Sequence, residues 1–295
     1  MDEQSLSFRL LVILFPIFGI VAAGYFYGRK HKPEMAVANR LNMDIFIPAL
    51  VFAAMAGKSF ELAAYAPLAL GGFLVLATCG LLAWPIARLF GIQPKTLVPP
   101  MLFNNSGNIG LPLAVLAWGE AALPAAVILF MVENTLHFSF GARLLDPTTR
   151  ILTLWRIPVV FAAIAGLAVA LIKIPIWTPL VIAIKMLGDV SVPLLLFSLG
   201  VRMTDVSFSE WKVAVGSAVL RPVAGMLIAA GVIQLLGLQG RDAAMLFVFG
   251  ALPPAVLNFL FAERYKQEPE RVASIVLIGN LAALLFLPLA LAYVL

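Results

Sequence analysis

Apolar segments about 20 residues long recur from one end of this chain to the other, and they limit what it can fold into. Of its 295 residues, 62% are hydrophobic and 12% are charged. A soluble domain carries about 25% charged residues, and a helix needs about 20 apolar residues to cross a bilayer. Ten segments reach that length: 8–27, 35–56, 64–89, 96–118, 121–142, 153–172, 177–200, 212–237, 242–262 and 271–294. We therefore predict an all-α integral membrane protein with ten transmembrane helices.

The Lys and Arg residues predict how these segments are oriented. With the N-terminus outside, fourteen of the 20 Lys and Arg residues fall on the cytoplasmic side, five fall outside and Arg221 lies within a span. Cytoplasmic loops carry such an excess, so we expect both termini outside. The net charge of +5 fits basic cytoplasmic loops better than nucleic-acid binding. Because the chain begins with acidic residues, we interpret the first segment as an uncleaved helix.

The fourth segment is interrupted by Asn104–Pro112, which contains three Asn, two Gly and a Pro. Pro removes a backbone donor and clashes with the preceding turn, and Gly weakens a helix. At membrane depth, the freed backbone groups are tolerated only where they line a cavity or are buried in protein. Discontinuous helices of this kind hold the substrate and coupling ions in secondary transporters.

The two halves of the chain share motifs, which indicates an internal repeat. Four pairs recur at offsets of 141 to 146 residues: D-x3-P-x-L-x-F at 44–52 and 189–197, P-x7-G at 16–24 and 158–166, a break at 110–112 and 250–254, and Asn134 with Asn280. Five spans per half is an odd number, so the second half must cross the membrane in the opposite sense. We therefore predict two inverted five-helix repeats, at 1–142 and 153–295, in which helices 4 and 9 are the broken crossover helices.

Two motifs stand out: N-x-G-N-x-G-x-P occurs at 105–112, and G-D-x-x-x-P with a following Leu and Gly occurs at 188–200. They resemble motifs of the auxin efflux carrier family, which includes bacterial permeases, so the resemblance implies a bacterial inner-membrane location. The resemblance implies a ten-helix fold similar to the bile-acid/sodium symporters, with helices 4 and 9 unwound and crossing at the centre. It also implies a scaffold of helices 1, 2, 6 and 7, and a transport domain of helices 3–5 and 8–10 that moves against it.

The candidate substrate site is the region between the two breaks. Freed backbone amides and Asn side chains can receive a carboxylate without burying a charge. On this basis the candidate substrate-binding residues are Asn105, Asn108, Gly110, Pro112, Pro253, Pro254 and Asn258. The alternative is a kinked helix whose Asn side chains bond neighbouring helices.

Five ionisable residues within spans are further candidates. Glu133 and His137 are four residues apart, so they share a helix face and could form a proton relay or a cation site, although His137 lies near a predicted cytoplasmic end. Asp44 and Asp189 could bind an ion or simply pair with a nearby cation. Arg221 needs a carboxylate, either from the protein or from a substrate.

These patterns predict a secondary carrier of a small organic anion that works by alternating access, and the resemblance implies a carboxylate substrate and a movement of the elevator type. We expect no cofactor beyond a coupling Na⁺ or H⁺, and as partners the substrate, the lipid bilayer and a second copy bound through the scaffold helices, with no nucleic acid. Phosphate-loop and H-E-x-x-H motifs are absent from the sequence, so an enzyme is not expected. Cys79 is the single cysteine, which excludes an intrachain disulfide. A membrane-embedded sensor of a similar anion, a lipid-modifying enzyme and a channel remain as alternatives.

Overall fold

The computed structural model describes residues 5–56, 62–148, 157–173, 175–205 and 210–295, and these residues are predominantly helical. The α-helices are α1 (Leu6–His31), α2 (Ala36–Leu41), α3 (Ile47–Met55), α4 (Leu62–Leu89), α5 (Pro94–Leu102), α6 (Leu111–Trp118), α7 (Leu123–Leu136), α8 (Ala142–Leu145), α9 (Pro158–Ile172), α10 (Thr178–Arg202), α11 (Trp211–Leu236), α12 (Gly240–Ala251), α13 (Leu257–Arg264) and α14 (Pro269–Val294). Three π-helical turns join consecutive helices, at Asn42–Phe46, Ser106–Gly110 and His137–Gly141.

Seven continuous helical stretches in the described part of the chain are long and apolar enough to cross a membrane. They are Leu6–His31, Ala36–Met55, Ala63–Leu89, Glu120–Leu145, Thr178–Arg202, Trp211–Leu236 and Pro269–Val294. They confirm seven of the ten predicted spans to within a few residues at each end. The predicted spans 96–118 and 242–262 are interrupted helices, and only the 15-residue α9 is described within 153–172, because 153–156 lie outside the described residues.

Two of the π-helical turns lie just before a proline, with one residue between, and the proline accounts for the wider turn. Pro48 and Pro112 each occupy the second position of the helix that follows the turn. A proline ring clashes with the carbonyl four residues earlier, which would be that of Asp44 or Asn108. Widening the turn by one residue relieves this clash, and the N–H groups of Ile47 and Leu111 then bond carbonyls five residues back.

The helices pack in two groups. In the first, α1 lies along α10, while α3 packs against both α9 and α10. In the second, α11 packs against α14, α12 and α4, and α4 also contacts α5 and α7. Contacts between the groups are fewer and involve mainly α6, α7, α14 and the turn Ser106–Gly110. The sites described below lie where these two groups face each other.

Two glycine contacts within the first group are related by the sequence repeat. A Cβ atom at Gly24 of α1 would lie 2.2 Å from the carbonyl oxygen of Phe197 in α10. A Cβ atom at Gly166 of α9 would lie 2.9 Å from the carbonyl oxygen of Phe52 in α3. Gly24 matches Gly166 in the repeated motifs, and Phe52 matches Phe197, so equivalent residues make equivalent close helix contacts. Small residues permit such close approach between membrane helices.

Candidate functional site

The two interrupted helices meet at their breaks through backbone hydrogen bonds. Asn104 and Pro254 form an isolated antiparallel bridge. The N–H of Asn105 donates to the carbonyl of Pro253 over 2.7 Å, and the N–H of Ala255 donates to the carbonyl of Phe103 over 3.0 Å. The bridged residues therefore form a non-hydrogen-bonded pair, in which neither residue uses its own N–H. Pro254 fits this position because it has no N–H to satisfy.

Side-chain amides satisfy the carbonyls that the broken helices leave free. Asn104 donates from Nδ2 to the carbonyl of Phe249 over 2.8 Å, in the last turn of α12. Asn258 donates from Nδ2 to the carbonyls of Phe103 and Ala255, over 3.1 and 2.9 Å. Each of these asparagines is buried, so its amide replaces water that the membrane interior does not supply.

Asn105 and Asn280 form a second link between the breaks. Asn105 donates from Nδ2 to Oδ1 of Asn280 over 2.8 Å, and Asn280 donates in turn to the carbonyls of Pro254 and Val276. Asn134, the repeat equivalent of Asn280, makes the corresponding bond to a carbonyl four residues earlier. The first break is thus tied to the second through an amide on α14.

The two breaks, joined at the bridge between Asn104 and Pro254, are called the crossing below. A cavity of about 140 Å³ lies beside it. Its polar lining comes from the first break, from α7, from the α2–α3 region and from the C-terminal half of α10: Asn39, Asn42, Asn104, Asn105, Asn108, Glu133, Asn134, His137, Ser198 and Arg202. The structure therefore brings together four of the predicted site residues, Asn105, Asn108, Glu133 and His137. Asn108 is half-buried, and its amide bonds no residue in the described part of the chain.

Glu133 and His137 form a buried pair in the cavity wall. Oε1 of Glu133 lies 2.9 Å from Nδ1 of His137, and Ser106 donates to Oε2 of Glu133 over 3.3 Å. His137 is 1% exposed, and its ring stacks on Phe103 with the centroids 4.0 Å apart. His137 was expected near a solvated helix end, but aromatic rings of the crossing and of α13 cover it instead.

Three of the predicted ionisable residues lie outside this cavity. Arg221 is fully buried and donates from Nη1 to the carbonyl of Gly250 over 2.8 Å, so a backbone oxygen takes the place of the expected carboxylate. Asp189 is exposed and pairs with Lys185 at 3.0 Å, the structural alternative given for it above. Asp44 is also exposed, whereas Asn42 of the same turn is buried and donates from Nδ2 to the carbonyl of Ser191.

A second cavity, of about 480 Å³, lies toward the N-terminal half of α10. Pro112, Glu120, Lys185 and Asp189 line it, together with apolar residues of α1, α3 and α7. Gly110 lines a smaller space between α6, α7 and α12. Pro253 and Pro254 contribute backbone to the crossing, and Asn258 stabilises it from α13. The predicted substrate residues are therefore divided between the cavity and the framework that holds it.

Sequence reasoning missed several polar residues of this site. Asn42 is buried, and Asn39 accepts from Ser198 over 2.5 Å across the α2–α10 contact. Their spacing of three residues within one predicted span was the available signal. Asn104 belongs to the interrupted stretch, and Asn280 was recognised only as a repeat match of Asn134.

The chain is similar in sequence to membrane transport proteins of several organisms. The model of a family described as "Membrane transport protein" matches residues 144–291, half of the chain. The chain is 26% identical over 178 residues to "Auxin efflux carrier component 6" of Arabidopsis thaliana, covering 58% of the chain and 29% of that relative. It is 24% identical to "Putative malonate transporter" of Rhizobium meliloti (strain 1021), with 91% of each chain covered.

An "Uncharacterized transporter" of Methanothermobacter thermautotrophicus is 26% identical, with 97% of this chain and 96% of the relative covered. The chain thus spans about three tenths of the plant relative's length and nearly the whole of the two microbial relatives. The chain belongs to the auxin efflux carrier family of membrane transport proteins.

Proposed function

We propose that this protein is a secondary active transporter that carries a small organic anion, of the carboxylate class, by alternating access. The observation that carries the proposal is the crossing of the two broken helices beside a cavity lined by amide side chains. Secondary transporters bind their substrates at crossings of this kind, because helix ends and unwound backbone supply unpaired polar groups. A carboxylate needs donors, and amides supply them without a buried countercharge.

The internal repeat supports the transporter assignment. The contacts Gly24–Phe197 and Gly166–Phe52 join equivalent pairs of helices, as expected if 1–142 and 153–295 are inverted repeats. The two breaks pair antiparallel, as they do when equivalent segments enter from opposite sides. In transporters with such repeats, movement of one part of the protein against the other opens the central site to one side of the membrane and then to the other.

The packing groups support an elevator movement. The first group, α1–α3 with α9 and α10, corresponds to the scaffold, and the second group, α4–α8 with α11–α14, to the transport domain. The cavity lies between them, with Ser198 and Asn42 on the scaffold side and the crossing on the other. A substrate held by the crossing would travel with the transport domain past a fixed scaffold wall.

The cavities indicate which side is open. The central cavity shares Asn39, Leu199 and Arg202 with a neighbouring cavity of about 320 Å³. That cavity is also lined by Pro33 and Glu263, which lie at helix ends predicted to be cytoplasmic. On the proposed orientation, with both termini outside a bacterial inner membrane, this connection makes the conformation the inward-open state of the carrier.

Asn108 is the residue most directly available to the substrate. Its amide projects from the first break into the cavity, whereas the amide of Asn105 is used by Asn280. Asn108 also lies in the π-helical turn at the start of α6, where a carboxylate meets a favourable helix dipole. The names of the relatives direct the choice of carboxylates to malonate and auxin.

The test is uptake by purified protein in proteoliposomes, with malonate, other short dicarboxylates and auxin as substrates and with imposed H⁺ or Na⁺ gradients. A hydrogen bond to a charged group contributes about 1.5–3 kcal/mol, so Asn108→Ala should weaken apparent affinity roughly tenfold to a hundredfold. Gln239→Ala removes an exposed amide at the start of α12 and serves as the matched control.

Two outcomes would contradict the proposal. If a carboxylate binds without flux under any gradient, the protein is a sensor. If no carboxylate moves and Asn108→Ala has no effect on binding, the crossing is not a carboxylate site.

A further inference from the structure

The Glu133–His137 pair takes no part in the substrate contacts proposed above, although it forms part of the same cavity wall. Both oxygens of Glu133 are engaged, one by Nδ1 of His137 and the other by Ser106. With Glu133 ionised, the neutral imidazole carries its hydrogen on Nδ1 and donates it to the carboxylate. The other ring nitrogen, Nε2, is buried and has no hydrogen-bond partner among the described residues.

The charges of the buried groups add up to zero when His137 is neutral, with Glu133 ionised and Arg221 protonated. Glu133, His137 and Arg221 are the charged or basic side chains among the buried described residues. Arg221 lies on α11 and Glu133 on α7, and Cys79 of α4 is a further buried titratable group. Arg202 of α10 lies further along the same cavity wall, and the side chains packed on the imidazole from the crossing and α13 are aromatic.

A proton can be added to this pair at one defined atom. The lone pair of Nε2 on His137 takes a proton from hydronium, which becomes water, and the imidazolium keeps its Nδ1–H bond to Glu133. The carboxylate stabilises the cation from one side. The face of Phe103 stabilises it from another, because the two rings are stacked at an interplanar angle of 9°.

We propose that this pair binds the coupling proton, and that one proton travels with each organic anion in the same direction. The inference rests on the proposed function, which it extends to the coupling ion. Adding the proton changes the net charge of the buried groups from zero to +1, next to the cavity that receives the anion. The anion therefore binds better to the protonated carrier, and by linkage the proton binds better to the loaded carrier.

The pair also contacts the parts of the protein that form the crossing. Phe103 stacks on His137, and its carbonyl accepts the bond from Ala255 that joins the breaks. Ser106, which bonds Glu133, begins the π-helical turn that carries Asn108. The site of protonation is therefore in contact with Phe103, which belongs to the crossing, and with Ser106, which belongs to the turn that carries Asn108.

The test measures accumulation of malonate and auxin in proteoliposomes with the membrane potential clamped at zero. With one proton per anion, an inward gradient of one pH unit should drive about tenfold accumulation, accompanied by proton entry reported by an internal dye. For auxin, a monoanion, the loaded and empty carriers have equal charge, so an imposed potential should not change its uptake.

Glu133→Gln and His137→Asn should abolish accumulation while leaving substrate exchange between equal pools active, because an uncoupled carrier can still exchange. Glu34→Gln makes the same carboxylate-to-amide change at an exposed position outside the cavity and should accumulate substrate normally. Accumulation driven by Na⁺ without proton entry, or normal accumulation by both variants, would overturn the inference and leave the proposed function standing.

A measurement without substrate separates the two proposals. Infrared difference spectra of the purified His31→Asn variant, which lacks the signal of the other histidine, should show between acid and neutral pH an imidazole band that adding His137→Asn removes. If no carboxylate is transported, the proposed function fails, and this band then decides whether His137 takes up a proton. Its absence would overturn the inference even where a variant is too unstable for transport measurements.

Discussion

The two helix breaks that meet at the crossing differ in chemistry. Residues 104–108 contain three Asn, a Ser and a Gly, whereas residues 252–256 read Leu-Pro-Pro-Ala-Val. The first break offers backbone donors and amide side chains, and the second offers mainly carbonyls, because a proline nitrogen cannot donate. Both prolines of the pair use their carbonyls as acceptors: Pro253 accepts from the N–H of Asn105, and Pro254 accepts from Nδ2 of Asn280.

The difference shows that repeated topology does not require repeated chemistry. The second break acts as a rigid support, and the first break, held against it, presents polar groups to the cavity. Within the first break the division continues: the amide of Asn105 is committed to Asn280, and the amide of Asn108 is available. Substitutions in the second break should therefore affect folding, and those at Asn108 should affect binding.

The largest effect is expected where the second break meets α11. A Cβ atom at Gly250 would lie 2.4 Å from the carbonyl oxygen of Gly225. Both glycines are buried, and a backbone oxygen cannot move aside as a side chain can. Gly250→Ala should therefore destabilise the protein by about 3 kcal/mol or more, at the upper end of the usual cost of overpacking. Thermal unfolding in detergent measures the loss.

Two controls sharpen that comparison. In the first break, a Cβ atom at Gly107 would meet only the ring edge of Phe130 at 3.0 Å, so Gly107→Ala should cost less. Gly231 of α11 has open space around its Cβ position, and Gly231→Ala should be tolerated without loss of stability. Equal losses in Gly250→Ala and Gly107→Ala would remove the distinction between a rigid and an adaptable break.

A smaller effect is expected from Asn105→Ala. The substitution leaves Oδ1 of Asn280 buried without its donor, at a cost of about 1–3 kcal/mol. Asn108→Ala removes no hydrogen bond within the described protein and should change stability by less than about 0.5 kcal/mol. A double-mutant cycle of Asn105→Ala with Asn280→Ala should give a coupling energy of at least about 0.5 kcal/mol. No coupling would mean that this amide pair does not tie the breaks together.

Local sequence signals predicted the breaks, and packing between distant segments determined the rest. The signals were Pro112 with its neighbouring Gly and Asn residues, and the Pro253–Pro254 pair, because proline lacks a donor and clashes with the preceding turn and glycine weakens a helix. A single proline was not a sufficient signal, since Pro16 and Pro193 lie inside continuous helices. The bridge between Asn104 and Pro254 depends on how segments 150 residues apart align. For the same reason, the sequence could not distinguish the committed amide of Asn105 from the available amide of Asn108.

The ionisable residues show a second limit. Asp44 and Asp189 lie about as deep along their segments as a binding residue should, yet depth along a helix does not determine which face a side chain occupies. The spacing of Glu133 and His137 did predict their contact, because it depends on one helix alone. The carbonyl partner of Arg221 could not be predicted, since it requires the close approach of Gly225 to Gly250.

An effect close to that of Asn105→Ala is expected from Pro254→Ala, in the second break and four residues after Gly250. The residue is buried at a non-hydrogen-bonded position of the bridge, so the restored N–H has no acceptor in the ladder and costs about 1–3 kcal/mol. The loss of rigidity in the unfolded chain adds a smaller cost of about 0.4–1 kcal/mol. The proline ring also lies close to Gly279, where an added Cβ would be 2.6 Å from Cδ of Pro254, so some packing is lost as well. An unchanged thermal stability of Pro254→Ala would show that the bridge does not need a residue without an N–H at this position.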